Sequence, residues 1–244
     1  IIDDLENHFT QLKIKNDQPI VIHSSLYSLY KELRPERLLF DFIIKYLRND
    51  TPFCIPTYCL DGNTTYNLLQ DRTTLGLFSH YALKYCPDFG KRSRTPIHNH
   101  CFFGNNYGID SINYKRSFGC NSDFDYMKNN NYRLLLFCIS FQKGCAFLHH
   151  LEEMARVPYR ENLLLDRYIM DTNPNNLEHI KLQYYARKVN SLTTNFNKVL
   201  DLIENASSFS MASLNGFNSY SIDLRELEEV VLAHLLLKPL FFVD

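Results

Sequence analysis

The run Leu134–Ile139, LLLFCI, constrains this chain more than any other stretch. It reads as a short apolar strand, and a polar turn with a single glycine, Gly144, follows it directly. A segment with helical periodicity then begins and places His149 and Glu152 three residues apart. At that spacing the two side chains share one helical face. The carboxylate can therefore hold the imidazole in one tautomer and orientation, which is how an α/β fold delivers a general base to the end of a sheet.

Helix and strand signals alternate along the rest of the chain. Residues 1–12 form an amphipathic helix pattern, and PIVIH (19–23) a buried strand. Pro35 suits the first position of a helix, along which Leu38, Leu39, Phe42, Ile43, Tyr46 and Leu47 line one stripe. A strand is expected at 51–58, closed by Asp61-Gly62-Asn63, and a helix at 75–85, ending before Cys86-Pro87. Residues 90 to 131 read as turn-rich and irregular, with one short strand at 101–103. After the opening unit, 163–170 and 180–188 suggest an antiparallel pair around Asn173-Pro174-Asn175-Asn176, and a helix is expected at 194–205. Asp223 and Glu226 have capping-box spacing before a last helix with Leu224, Leu227, Val231 and Leu235 on one face. The pattern predicts one α/β domain over residues 1–244, a central mixed sheet flanked by helices.

Composition excludes several classes. The 26 Lys+Arg against 27 Asp+Glu include no basic run that would track a phosphate backbone, so nucleic acid is not an expected partner. Seven cysteines without a C-x-x-C pattern predict buried thiols in a reducing compartment, not a disulfide scaffold or zinc ribbon. The longest apolar stretch, 230–243, is interrupted by His234, Lys238 and Pro239 and is too short to span a bilayer. A cytoplasmic protein with no membrane association is the expectation. The oligomeric state, a homodimer among the options, is not legible.

Two further places could carry chemistry. At His23-Ser24-Ser25-Leu26 a buried strand meets small hydroxyl residues whose turn could bind phosphate or a carbonyl oxygen, though taken alone such a junction is more often plain capping. At Pro56-Thr57-Tyr58 a strand end presents a hydroxyl and a phenol at the sheet edge where ligands bind, or simply terminates the strand.

In chain order these pieces form a series: His23–Leu26; Pro56–Tyr58; Leu75-Gly76 with Ser79 and Tyr81; Arg92-Ser93 with Pro96 and His98; Phe118-Gly119 with Ser122; Leu148-His149 with Glu152; and Pro158–Arg160. Over about residues 18–240 the series resembles the aminoglycoside 3-N-acetyltransferase family and its antibiotic N-acetyltransferase fold. The resemblance implies acetyl transfer from acetyl-CoA to an amino group on a sugar, with no metal. It implies His149 as general base and Glu152 as the group that orients it. It also implies a CoA-lining role for His23, Ser24, Ser25 and Leu26, with Arg92, Ser93 and Ser122 nearby and Arg92 suited to a CoA phosphate. Backbone N–H groups near Ser24–Leu26 and the Thr57 hydroxyl are the candidates for stabilising the oxyanion. Thr57, Tyr58, Gln142 and Glu153 are the expected acceptor contacts.

Competing readings accompany the site. His150 is expected at the surface or substrate rim, since it points about 100° away from His149. Glu153 could be a solvated charge or hold a cationic substrate. A metal site from His149, His150, Glu152 and Glu153 lacks H-E-x-x-H spacing, and a Cys145–His149 nucleophile pair is the other alternative.

The chain also departs from the family. Antibiotic-modifying members carry an Asp-Ser-Asn-Thr-type turn where this chain has Phe141–Phe147, with Gln142 and Lys143 replacing the acidic residue, and Arg94-Thr95 add charge elsewhere. Added positive charge disfavours a polycation and suits an acceptor with its own phosphates. The sequence thus favours a nucleotide-activated amino sugar for surface polysaccharide over an aminoglycoside antibiotic. A catalytically inactive CoA- or sugar-binding homologue is the alternative from another class.

Overall fold

A computed structural model describes residues 1–48, 50–106, 108–171, 176–188 and 193–244. Its centre is a set of three parallel strands: β1 (Ile20–Ser24), β2 (Phe53–Pro56) and β6 (Arg133–Phe137), with β1 pairing both others. Each is apolar along nearly its whole length because helices cover both faces. Alternation then sorts the side chains. Ile20, Ile22, Phe53, Ile55, Leu135 and Phe137 face one core, and Val21, Cys54, Leu134 and Leu136 the other.

The first core is closed by α1 (Ile2–Gln11), α2 (Pro35–Tyr46) and α3 (Leu77–Phe89) through Leu5, Phe9, Leu39, Phe40, Ile43 and Phe78. The second is closed by α4 (Asp123–Asn129), α6 (Phe147–Ala155) and α8 (Leu224–Leu237) through Phe124, Leu148, Leu151, Leu227 and Val231. Antiparallel strands extend the sheet to seven. On one side lie β5 (His100–Phe103) and β4 (Gly90–Arg92), and on the other β10 (Phe217–Asp223) and β9 (Ser210–Leu214). A second sheet of three strands pairs β7 (Arg160–Met170) with β8 (Leu177–Arg187), and β3 (Thr65–Asn67) runs parallel to β7.

Several expectations change. The segment 90–131 is not wholly irregular, since it contains β4, β5 and α4. Helix α3 continues past Cys86 and holds Pro87 in its last turn, where the missing N–H removes one bond. The helix expected at 194–205 is a 3-10 turn, Phe196–Val199, running into one α-turn, α7 (Leu200–Ile203). The β9–β10 hairpin was not expected. It turns at Asn215-Gly216, both left-handed at φ 52° and 83°, the geometry of a tight type I′ turn. Asp223 precedes α8 without capping it, because its carboxylate accepts from Arg133 Nη1 at 2.7 Å and Gln18 Nε2 at 2.9 Å. Glu226 instead accepts from the N–H groups of Ser207 and Ser208. The expected β7–β8 pair is present, while Asn173–Asn175 of its turn lie outside the described residues. Among the described residues no helix is long and apolar enough to cross a membrane.

Candidate active site

Strand β6 ends at Phe137, and Cys138 directly after it, with a φ of 54°, turns the chain sharply. A single helical turn, α5 (Phe141–Gly144), follows before α6 begins. Gly144 makes this fit possible, because a Cβ there would stand 2.8 Å from Ile139 Cγ2. Helix α6 packs Leu148 and Leu151 into the core. That seating leaves the His149 side chain 28% exposed and buries Glu152 completely.

His149 Nδ1 lies 2.8 Å from Glu152 Oε2. Two further groups fix the carboxylate: Tyr159 Oη donates to Oε1 at 2.8 Å, and Arg160 Nε lies 2.6 Å from Oε2. Arg160 Nη2 is also 2.8 Å from His149 Nδ1. One ring nitrogen cannot both donate to Glu152 and accept from Arg160. A charged carboxylate is the stronger partner for an N–H, so Nδ1 carries the hydrogen and Nε2 keeps a lone pair. Phe118 and Phe196 meet the imidazole edge-on at 5.7 Å and 4.9 Å between centroids. Burial pulls the His149 pKa below 6.5, Glu152 opposes that shift, and Arg160 adds to it. The arrangement can take up a proton at Nε2, and Glu152 is placed to stabilise the resulting imidazolium.

Behind Phe118 lies a second polar cluster. His100 Nδ1 is 2.9 Å from Asp123 Oδ2, both fully buried, and Thr95 Oγ1 donates to the other carboxylate oxygen at 2.5 Å. The Tyr58 hydroxyl meets His100 Nε2 at 3.2 Å. His98 stacks on Tyr184 and packs on Tyr58 and Phe118. Burial holds His98 well below the usual imidazole range and takes His23 down to about 3.

The structure brings His149 and Glu152 together but commits other expected site residues elsewhere. Arg92 is buried, and its guanidinium donates to Asn99 Oδ1 and to the carbonyls of Leu68 and Asp71, so no donor is aimed at a CoA phosphate. Ser93 Oγ accepts from His100 N. Ser122 caps α4, donating to Gly119 O at 2.7 Å and accepting from Asp125 N. The Thr57 hydroxyl donates to Asn99 Oδ1 at 2.7 Å, which removes it as an oxyanion donor. The Ser25 N–H is likewise committed, to Phe137 O. Ser24, Ser25 and Leu26 remain half-buried at the C-terminal end of β1. Gln142 accepts from Phe196 N at 2.6 Å through its side chain, tying α5 to the neighbouring 3-10 turn.

His150 is the reverse of its rim expectation. It is fully buried, its Nδ1 accepts from Gly119 N at 3.1 Å, and burial pulls its pKa to about 3. Glu153 is buried and lies 2.6 Å from Arg116 Nη2. The Cys145 thiol is buried and pushed up to about 12, unsuited to a nucleophile. Among the described residues no group of three or more His, Cys, Asp or Glu could hold a metal ion. The residues overlooked as site groups are Tyr159 and Arg160. Their signal was present, a phenol and a guanidinium directly after the helix that carries His149.

No family model and no curated protein matches the sequence. Solved structures do match the fold. A mutant of aminoglycoside acetyltransferase AAC(3)-IVa in complex with a gentamicin is 17% identical, with a TM-score of 0.79 over 99% of this chain and 90% of that one. AAC-IIIb in a binary complex with CoASH is 10% identical, with a TM-score of 0.80 over 97% of this chain and 96% of that one. YokD protein from Bacillus subtilis is 15% identical, with a TM-score of 0.77 over 96% of this chain and 93% of that one. The chain has the α/β fold of the aminoglycoside acetyltransferases.

Proposed function

We propose that this chain is an acetyl-CoA-dependent N-acetyltransferase that acylates the amino group of an amino sugar. The observation that carries the reading is the His149 Nδ1 to Glu152 Oε2 contact of 2.8 Å on an imidazole whose ring is still partly open to solvent. A sugar ammonium cannot attack a thioester until it loses a proton, and a neutral imidazole is an efficient acceptor near pH 7. His149 Nε2 takes one proton from the ammonium, the neutral amine forms the new N–C bond at the thioester carbonyl, and the second N–H proton passes to the sulfur as the C–S bond breaks and CoASH leaves. Glu152 holds the ring and stabilises the imidazolium, and Tyr159 with Arg160 holds Glu152. The fold is shared with AAC-IIIb, solved with CoASH, and with AAC(3)-IVa, solved with a gentamicin, which supports both substrate classes. Ser24, Ser25 and Leu26, at the C-terminal end of β1, are the residues suited to line the CoA arm.

Arg94 does not offer a free charge to a phosphate-bearing acceptor. It lies 3.1 Å from Asp171 and 2.7 Å from Glu178, so its charge is already balanced. Incubation with acetyl-CoA and a panel of amino sugars, sugar nucleotides and aminoglycosides, read by thiol release and product mass, tests the function. Acetylation of at least one amino sugar is expected. Binding of CoA without thiol release from any acceptor would favour an inactive homologue.

A further inference from the structure

A cavity of about 650 Å³ lies alongside the C-terminal half of α6 and the start of β7. Its charged walls are Arg116, Glu153, Arg156, Arg160, Glu161 and Lys188, four cations against two carboxylates. Glu153 is already neutralised by Arg116 at 2.6 Å, and Arg160 by Glu152. That leaves Arg156 and Lys188 against Glu161, all three exposed at the cavity's edge. The last carbonyls of α6 do not cancel this excess of positive charge, since Glu152 O and Glu153 O accept from the N–H groups of Val157 and Arg156. Arg116 Nε and Glu153 Oε2 are buried without a hydrogen-bond partner, and buried polar groups left in that state call for a ligand or ordered water. Arg160, one of the lining residues, also lies 2.8 Å from His149 Nδ1 through Nη2.

We infer that this cavity receives the phosphoryl group of a phosphorylated amino-sugar acceptor. The inference rests on the acetyltransferase reading and adds the acceptor's charge. Arg156 and Lys188 supply the attraction, as charge-assisted donors do for phosphate oxygens. Glu153 and the amides Asn162 and Gln183 in the same wall suit sugar hydroxyls. A polycationic aminoglycoside would bring ammonium groups against an excess of like charge, which costs affinity.

Binding decides the proposal independently of turnover. Glucosamine 6-phosphate, UDP-glucosamine, glucosamine and kanamycin are titrated by calorimetry into the protein saturated with CoA, and into the double variant Arg156→Gln/Lys188→Gln. One of the two phosphorylated sugars is expected to bind at least about tenfold more tightly than glucosamine, and the double variant to lose most of that ratio. Whichever of the two binds identifies the source, a sugar monophosphate or a nucleotide-linked sugar. Binding of neither, an unchanged ratio in the double variant, or kanamycin binding most tightly overturns it. Thiol release in the same samples reports separately on the acetyltransferase reading. Phosphosugar binding without turnover would sink that reading and leave the cavity as a phosphosugar-binding site with no acceptor role.

Discussion

Arg160 Nη2 stands 2.8 Å from His149 Nδ1, so the cation that anchors Glu152 also bears on the imidazole. Glu152 raises the His149 pKa and Arg160 lowers it. The acidic limb of kcat/KM against pH should therefore move in opposite directions in two variants. In Glu152→Gln the midpoint falls, because the charge stabilising the imidazolium is gone. In Arg160→Gln it rises, while Arg160→Lys, which keeps the charge, stays closer to the parent. Midpoints that move together in Glu152→Gln and Arg160→Gln would contradict the geometry.

Stability should fall in mild acid for a separate reason. Burial takes His23 and His150 from 6.5 down to about 3. Between those values the unfolded chain binds protons that the fold excludes. The stability tied to the neutral rings is therefore complete above about pH 6.5 and is lost as pH falls toward 3. Each ring contributes a slope of about 1.4 kcal/mol per pH unit across that window. Urea midpoints measured from pH 7 to pH 4.5 should decline accordingly, and a flat profile would refute the burial.

Ser122 separates a structural role from a ligand role. As the cap of α4, Ser122→Ala should cost about 1 kcal/mol in denaturation. The KM for acetyl-CoA should stay at the parent value. A raised KM with unchanged stability would restore the CoA contact that the sequence suggested.

The buried Asp123 carboxylate is paired with His100 and bonded by Thr95. Removing it in Asp123→Ala leaves His100 Nδ1 and the Thr95 hydroxyl buried without a partner and should cost about 3 kcal/mol. Chemical denaturation monitored by circular dichroism reads that loss directly, and a loss under about 1 kcal/mol would count against the pair.

The readable parts of this chain were those where one periodicity held. LLLFC followed by the helical spacing of α6 gave the His149–Glu152 pair, since i and i+3 share a face whatever the helix packs against. Which of His149 and His150 faces the core was not legible. It depends on the rotation of α6 against Phe124, which packs on His150. The β9–β10 hairpin was missed despite its Asn215-Gly216 turn because buried serines break the apolar pattern. Ser219 accepts from Cys138 N and meets His8, and Ser221 accepts from Arg133. Motif spacing likewise identified Arg92, Ser93 and Thr57 without revealing that their polar groups were already committed inside the fold.

His149 is the proposed general base. That role is tested most directly by thiol-release rates with acetyl-CoA and the preferred acceptor for the parent and for His149→Ala, both shown to be folded by circular dichroism. A loss of about 10²–10⁴-fold in kcat is predicted. Equal rates in the two proteins would contradict it.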